Sequence, residues 1–161
     1  MKILVLGHGR HGKDTVSELL SKSYGFTFSS SSYFCAERFI FDEIEDEMGY
    51  GDINQCYNDR HNHRQLWREL IEGYNKDDHS RLAKEMIEVY DTYCGMRSNK
   101  EYQASKDLFD IILWVDASSR VDYVDPTLDI EFNPYEMTLV DNNGDMHDLV
   151  SSLDSAMREV L

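Results

Sequence analysis

The chain has 161 residues, with 16 Lys or Arg against 31 Asp or Glu, and a formal charge of −15 at pH 7. That length suits a single α/β domain over residues 1–161, long enough to bury a full core and too short for large inserted domains. The charge counts against a partner held by non-specific phosphate contacts, and no apolar stretch approaches the roughly 18 residues needed to span a bilayer.

Lys2–Leu6 opens the chain as a continuous apolar run, the pattern of a buried parallel strand. A strand at this place, instead of a charged segment and signal core, leads us to expect a cytoplasmic protein. Gly7-His8-Gly9-Arg10-His11-Gly12-Lys13-Asp14-Thr15 follows, spaced as Gly, four residues, Gly-Lys. Glycines at those places let successive backbone N–H groups turn inward onto phosphate oxygens, and the Lys13 ammonium reaches the outer phosphates. Val16, Leu19 and Leu20 then give Lys13–Tyr24 an apolar helical stripe, so the loop ends on the positive end of a helix. The Ser or Thr that usually follows the Lys, a magnesium ligand, is Asp14 here, with Thr15 one place later. That departure weakens an ATPase or GTPase assignment, because those classes depend on the hydroxyl.

Phe26–Phe28 reads as a short second strand, and Ser29–Ser32 as a turn whose hydroxyls cap a helix over Tyr33–Met48 or face an acceptor at the strand's carboxyl end. Gly49–Tyr57, with two glycines, reads as a loop. Helices are expected over Arg60–Gly73 and Asp77–Tyr90, a strand at Thr92–Cys94, a helix over Asn99–Asp107 and a strong strand at Asp110–Val115. Pro126 and Pro134 bracket an acidic surface loop; Thr138–Val140 supplies another strand, Asp141–Gly144 a turn, and Met146–Leu161 a terminal helix. Alternating strands and helices imply a three-layer α/β sandwich around a parallel sheet. Cys35, Cys56 and Cys94 are odd in number and lack a CxxC pair, the mark of buried reduced thiols.

Phosphoryl transfer needs cations where negative charge accumulates. Arg97, just after the expected strand Thr92–Cys94, belongs at the sheet's carboxyl edge beside the phosphate loop; its plain alternative is a surface ion pair with Glu101 at helical spacing. Arg60, Arg64 and Arg68 recur every four residues as one basic stripe, either an acceptor-side clamp or a polar face paired with Glu69 and Glu72. His61 and His63 lack a third convergent ligand for zinc. Asp116 is placed to orient a metal-bound water or an acceptor hydroxyl, or to cap a helix. Arg120 reads as a reduced lid arginine closing over ATP or as a surface cation. Asp42, Asp59 and Asp116 are all candidate bases, and no spacing argument ranks them.

Taken together, Gly7–Thr15, Gly95–Glu101 and Val140–Gly144 resemble small phage P-loop kinases, the group of deoxynucleoside monophosphate kinases and 5-hydroxymethyldeoxyuridine DNA kinases. The similarity touches both ends and the middle of the chain, and the first motif is the specific one. The resemblance implies a P-loop NTPase fold of the adenylate-kinase-like kind, ATP with Mg2+ as donor and a nucleotide-class acceptor, in the host cytoplasm for a phage-encoded chain. Between Val115 and Thr138 there is no long Arg-rich lid, and such a reduced lid suits a base carried on DNA. The acceptor expected on that ground is the hydroxymethyl group of 5-hydroxymethyluracil in phage DNA, the first step of thymidine hypermodification. The alternatives are a kinase making dNDP from free dNMP and a nucleotide-binding regulatory protein that transfers nothing. In the kinase readings Lys13 and the amides of Gly7, His8, Gly9, Arg10, His11 and Gly12 hold the β- and γ-phosphates. Asp14 or Thr15 helps to place magnesium, and Arg97 with Arg60 or Arg64 neutralises the transferring phosphoryl.

Overall fold

Ile3–Leu6 forms β1, and all four of its side chains are fully buried because sheet neighbours flank it and helices cover both its faces. The other strands are Phe28–Ser30 (β2), Thr92–Cys94 (β3), Ile111–Asp116 (β4) and Thr138–Asp141 (β5). A computed structural model describing residues 1–161 arranges them as an all-parallel sheet in the order β2-β3-β1-β4-β5. Leu4 of β1 stands between Tyr93 of β3 and Ile112 of β4.

Alternation along the strands divides the core in two. Ile3 and Val5 pack with Leu113 and Val115 against Val16 and Leu20 of α1 (Lys13–Tyr24) and against Leu149, Leu153 and Met157 of α8 (Met146–Arg158). Leu4 and Leu6 face the opposite layer with Ile112 and Trp114. That layer holds α2 (Ser31–Cys35), α3 (Phe41–Met48), α4 (Ile53–Asp59), α5 (Arg64–Tyr74), α6 (Arg81–Val89) and α7 (Asn99–Ser105). The three-layer α/β sandwich expected from the sequence is the observed architecture, and no helix is long and apolar enough to cross a membrane.

Several boundaries differ from expectation for local reasons. β2 starts at Phe28 and takes in Ser29 and Ser30, because this edge strand is only half-buried and hydroxyls are tolerated in it. The expected helix over Tyr33–Met48 begins two residues earlier, at Ser31, and contains a π turn over Ala36–Ile40 between α2 and α3. Within the expected loop Gly49–Tyr57, α4 begins at Ile53 because the Asp52 side chain accepts the Gln55 N–H at 2.8 Å and buries Cys56 behind it. The expected helix over Arg60–Gly73 is interrupted: Arg60–Asn62 is a 3-10 turn and α5 starts at Arg64. Asp59 causes the break by accepting bonds from Tyr50, Asn62 and His63. The Asp78 carboxylate, accepting the Ser80 N–H and hydroxyl, likewise delays α6 to Arg81.

Candidate functional site

Every parallel strand ends on the same edge, so Gly7, Ser30, Gly95 and Asp116 are neighbours along one rim. Gly7 leaves β1 with φ 144°, and a Cβ there would stand 2.5 Å from the Val115 carbonyl oxygen, so only glycine allows the turn. Arg10 is the one non-glycine residue with positive φ, at 67°. Its guanidinium lies 5.0 Å from the centre of the Tyr123 ring, a contact that offsets the strain of that backbone. Lys13 Nζ donates to the His8 carbonyl at 3.0 Å. Burial lowers the Lys13 pKa, with Arg97 adding to the effect and the Cys94 and Asp14 side chains opposing it.

The loop histidines hold down the connection between β4 and β5. His11 Nδ1 accepts the Ala117 N–H at 3.0 Å, and His8 Nδ1 accepts the Asp125 N–H at 3.1 Å. Both bonds need the neutral imidazole with its proton on Nε2, and burial lowers the His11 pKa. Residues 117–137 contain no helix, so the lid is reduced, as expected. What the sequence did not reveal is that its first half folds back onto the phosphate loop, bringing Tyr123, Asp125 and Thr127 into the site. Gly9 is the point of closest approach: a Cβ there would meet the Tyr123 ring at 2.9 Å.

Between this surface and the α4–α5 layer lies a cavity of about 620 Å³. Gly9, Arg10, Lys13 and Asp14 line it together with Ser30–Ser32 and Gly95–Arg97 from the strand ends and Tyr57, Arg60, His61, Arg64 and Arg68 from α4, α5 and the turn between them. The cations expected at Arg60, Arg64 and Arg97 therefore converge with the loop on one space. Their proximity is felt by His61, whose pKa is lowered by Arg60 first, then by burial, Arg64 and Arg97. Arg60 Nη1 donates to the Tyr57 carbonyl at 2.9 Å with its guanidinium 3.8 Å from that ring's centre, and Arg64 Nη2 lies 3.3 Å from His61 Nδ1. Of the pairings expected for a plain polar helix face, Arg68 with Glu72 forms at 3.0 Å, while Glu69 bonds Gln65 instead of an arginine.

Arg97 does not pair with Glu101. Its Nε lies 3.5 Å from Asp125 Oδ2, joining a half-exposed guanidinium to a buried carboxylate. Glu101 is also buried, accepting the Tyr93 hydroxyl at 2.5 Å, and burial pushes its pKa up to about 7. Nothing within the 95–101 segment reveals this. The difference is tertiary, since Tyr93 points off β3 into the layer where α7 packs.

Asp14 is exposed and lines the cavity, while Thr15 lies outside the lining. Mg2+ in phosphate sites takes one or two carboxylates plus phosphate oxygens and water, and the Asp14 carboxylate beside Lys13 fits that donor set. Ser30 caps α2 by accepting the Tyr33 N–H at 3.1 Å, while Ser31 and Ser32 also line the cavity. Asp116 accepts bonds from Ser118 and Asn143 and stays out of the cavity; these bonds outweigh burial and lower its pKa. No helix follows it to be capped, and Asp42 and Asp59 also lie outside the lining. Arg120 donates to the Asn142 carbonyl at 2.5 Å, fixing it against the turn between β5 and α8. His63 bonds Asp59 and His61 faces Arg64, so these histidines share no metal position. The three cysteines are buried and free, as expected.

No protein-family model matches the chain, and no curated protein matches it. Among solved structures, a gluconokinase from Sinorhizobium meliloti 1021 superposes over 99% of this chain and 93% of its own, with a TM-score of 0.50 and 14% identical residues. At that identity the likeness speaks to architecture, and with the parallel sheet and phosphate loop it gives the fold as an α/β P-loop NTPase.

Proposed function

We propose that this protein is an ATP-dependent phosphotransferase that delivers the γ-phosphoryl group to an oxygen of a nucleotide-class acceptor, a hydroxyl in the preferred reading and a phosphate oxygen in the second. The observation that carries the reading is the convergence of the loop's Lys13 with Arg60, Arg64 and Arg97 on one cavity. In this reading Lys13 and the amides from Gly7 to Gly12 hold the β- and γ-phosphates, and Arg120 lies on the nucleotide side beside Asn142. Asp14 supplies a hard oxygen for Mg2+; Thr15 is the less suited ligand because it lies outside the cavity. When bound, that ion neutralises charge on the β- and γ-oxygens. Arg97, from the end of β3, and Arg60 and Arg64, from the start of α5 and the turn before it, stabilise the transferring group. Catalysis is then mainly positioning and electrostatics.

The preferred acceptor is the hydroxymethyl group of 5-hydroxymethyluracil in DNA, and the absence of a helical lid over residues 117–137 supports it. Tyr57, with the Arg60 guanidinium over its ring, lines the cavity as an aromatic group for a base taken out of the stack. Free deoxynucleoside monophosphate is the second reading, favoured by the charge of −15, which opposes a long polyanion. Transfer of labelled γ-phosphate from ATP decides between them, with modified DNA, ordinary DNA and free dNMP as parallel acceptors. Label on modified DNA alone supports the first and label on dNMP alone the second. ATP binding without transfer to any acceptor would refute the kinase reading in favour of a regulatory nucleotide-binding protein.

A further inference from the structure

Four carboxylates line the cavity, and three have other engagements. Glu72 pairs with Arg68, Glu101 is bonded to the Tyr93 hydroxyl, and Asp14 sits on the first turn of α1, where its Oδ1 lies 3.7 Å from the Cys94 sulfur. Asp125 is held differently. Its Oδ1 accepts both the Thr127 N–H at 2.9 Å and the Thr127 hydroxyl at 2.6 Å, and its own N–H is fixed on His8 of the phosphate loop at 3.1 Å. These bonds engage Oδ1 and leave Oδ2 to Arg97, whose Nε lies 3.5 Å away, on the cavity-lining side near Gly9, where an added Cβ would stand 3.7 Å from it. The residue is 3% exposed, so this orientation is set by the protein and not by solvent.

We propose that Asp125 is the catalytic carboxylate that orients the acceptor hydroxyl and takes its proton, a role that rests on the hydroxymethyl-acceptor reading above. The acceptor oxygen forms a bond to the γ-phosphorus as the bond from that phosphorus to the β,γ-bridging oxygen breaks. The electron pair of the broken bond leaves on ADP, and the hydroxyl proton passes to Asp125 Oδ2, then to water once product departs. Lys13, Arg97 and His8 are the charged or titratable groups facing Asp125 from the other elements. Burial pushes the Asp125 carboxyl up, but Thr127, Arg97 and Lys13 outweigh it and hold it below its ordinary value, so it is ionised near neutral pH.

The test compares wild type with Asp125→Asn for transfer of labelled γ-phosphate to a 5-hydroxymethyluracil oligonucleotide and to free dNMP, alongside ATP affinity by calorimetry. The expected result is a kcat on the oligonucleotide lower by about 10²–10³-fold, an ATP Kd within about threefold of wild type, and loss of the acid limb of the kcat–pH profile. Retention of kcat within threefold would overturn the assignment. So would tighter ATP binding with a raised kcat, which would make the carboxylate a competitor of the phosphates. A parallel loss of ATP binding would make the role structural. Should that variant not fold, Thr127→Val, which frees Oδ1, is expected to lower kcat about tenfold with ATP affinity kept, and an unchanged kcat refutes the proposal. A wild type that transfers to neither acceptor refutes the kinase reading and this inference together. Transfer to dNMP alone refutes the inference and keeps the kinase reading, because a phosphate oxygen brings no hydroxyl proton. A wild type active on the oligonucleotide with an unaffected Asp125→Asn refutes the inference alone.

Discussion

Replacing Glu101 by Gln isolates the cost of a buried carboxyl beside the site. Gln keeps the shape and an oxygen to accept the Tyr93 hydroxyl, and removes only the ability to ionise. Burial raises the carboxyl from 4.5 to about 7 in the folded protein. The native state therefore binds more protons than the unfolded chain between those values, and stability falls as pH rises through that window. Each pH unit of the window costs about 1.4 kcal/mol, so the penalty grows from near zero below pH 4.5 to at most about 3 kcal/mol above pH 7. Glu101→Gln should thus be close to neutral at pH 4.5 and stabilising at pH 8, by up to about 6–12 °C in Tm for a chain of this size. Urea unfolding of both proteins at several pH values between 4.5 and 8 measures the difference. An equal effect at both ends, or a less stable variant at pH 8, would refute the reasoning, because neither outcome is compatible with a buried group that must ionise.

Lys13→Ala should lower phosphoryl transfer by about 10³-fold or more while leaving the fold intact, since it removes an ammonium already disfavoured by burial; near-normal turnover with an unchanged melting curve would sink the assignment. Arg64→Ala should raise acceptor KM about tenfold and ATP KM much less; steady-state kinetics in both substrates checks the ranking, and the reverse order would remove Arg64 from the acceptor side. Gly7→Ala places a Cβ against the Val115 carbonyl at a φ that favours glycine, a change expected to cost about 2–4 kcal/mol. Thermal unfolding within about 2 °C of wild type would show that the loop has room the structure denies it.

Local pattern carried much of the architecture. The apolar runs Ile3–Leu6 and Ile111–Val115 are legible because strands covered on both faces have no polar side to mask them, and Gly7–Lys13 because its backbone curl demands glycine where the sequence has it. Helix starts were less legible where one acidic side chain redirects the backbone: Asp52 makes α4 inside an expected loop, and Asp59 breaks α5 from the turn before it. Cations at Arg60, Arg64 and Arg97 were legible as residue types suited to phosphate, and the converging strand ends explain why they meet.

Asp125 was not legible as a site residue. Asp125-Pro126-Thr127 has the composition of a surface turn, and such a turn forms, with the carboxylate accepting the Thr127 N–H and hydroxyl. Only the bond from its backbone to His8, some 117 positions away in sequence, turns that loop inward and buries the carboxylate against Arg97. Sequence alone determined the phosphate loop, the parallel sheet and the supply of cations, because each follows from side-chain periodicity or backbone need within a few residues. Tertiary structure decided which carboxylate faces them, since partner choice among Asp14, Glu72, Glu101 and Asp125 depends on distance and burial between segments that the order of residues does not encode locally.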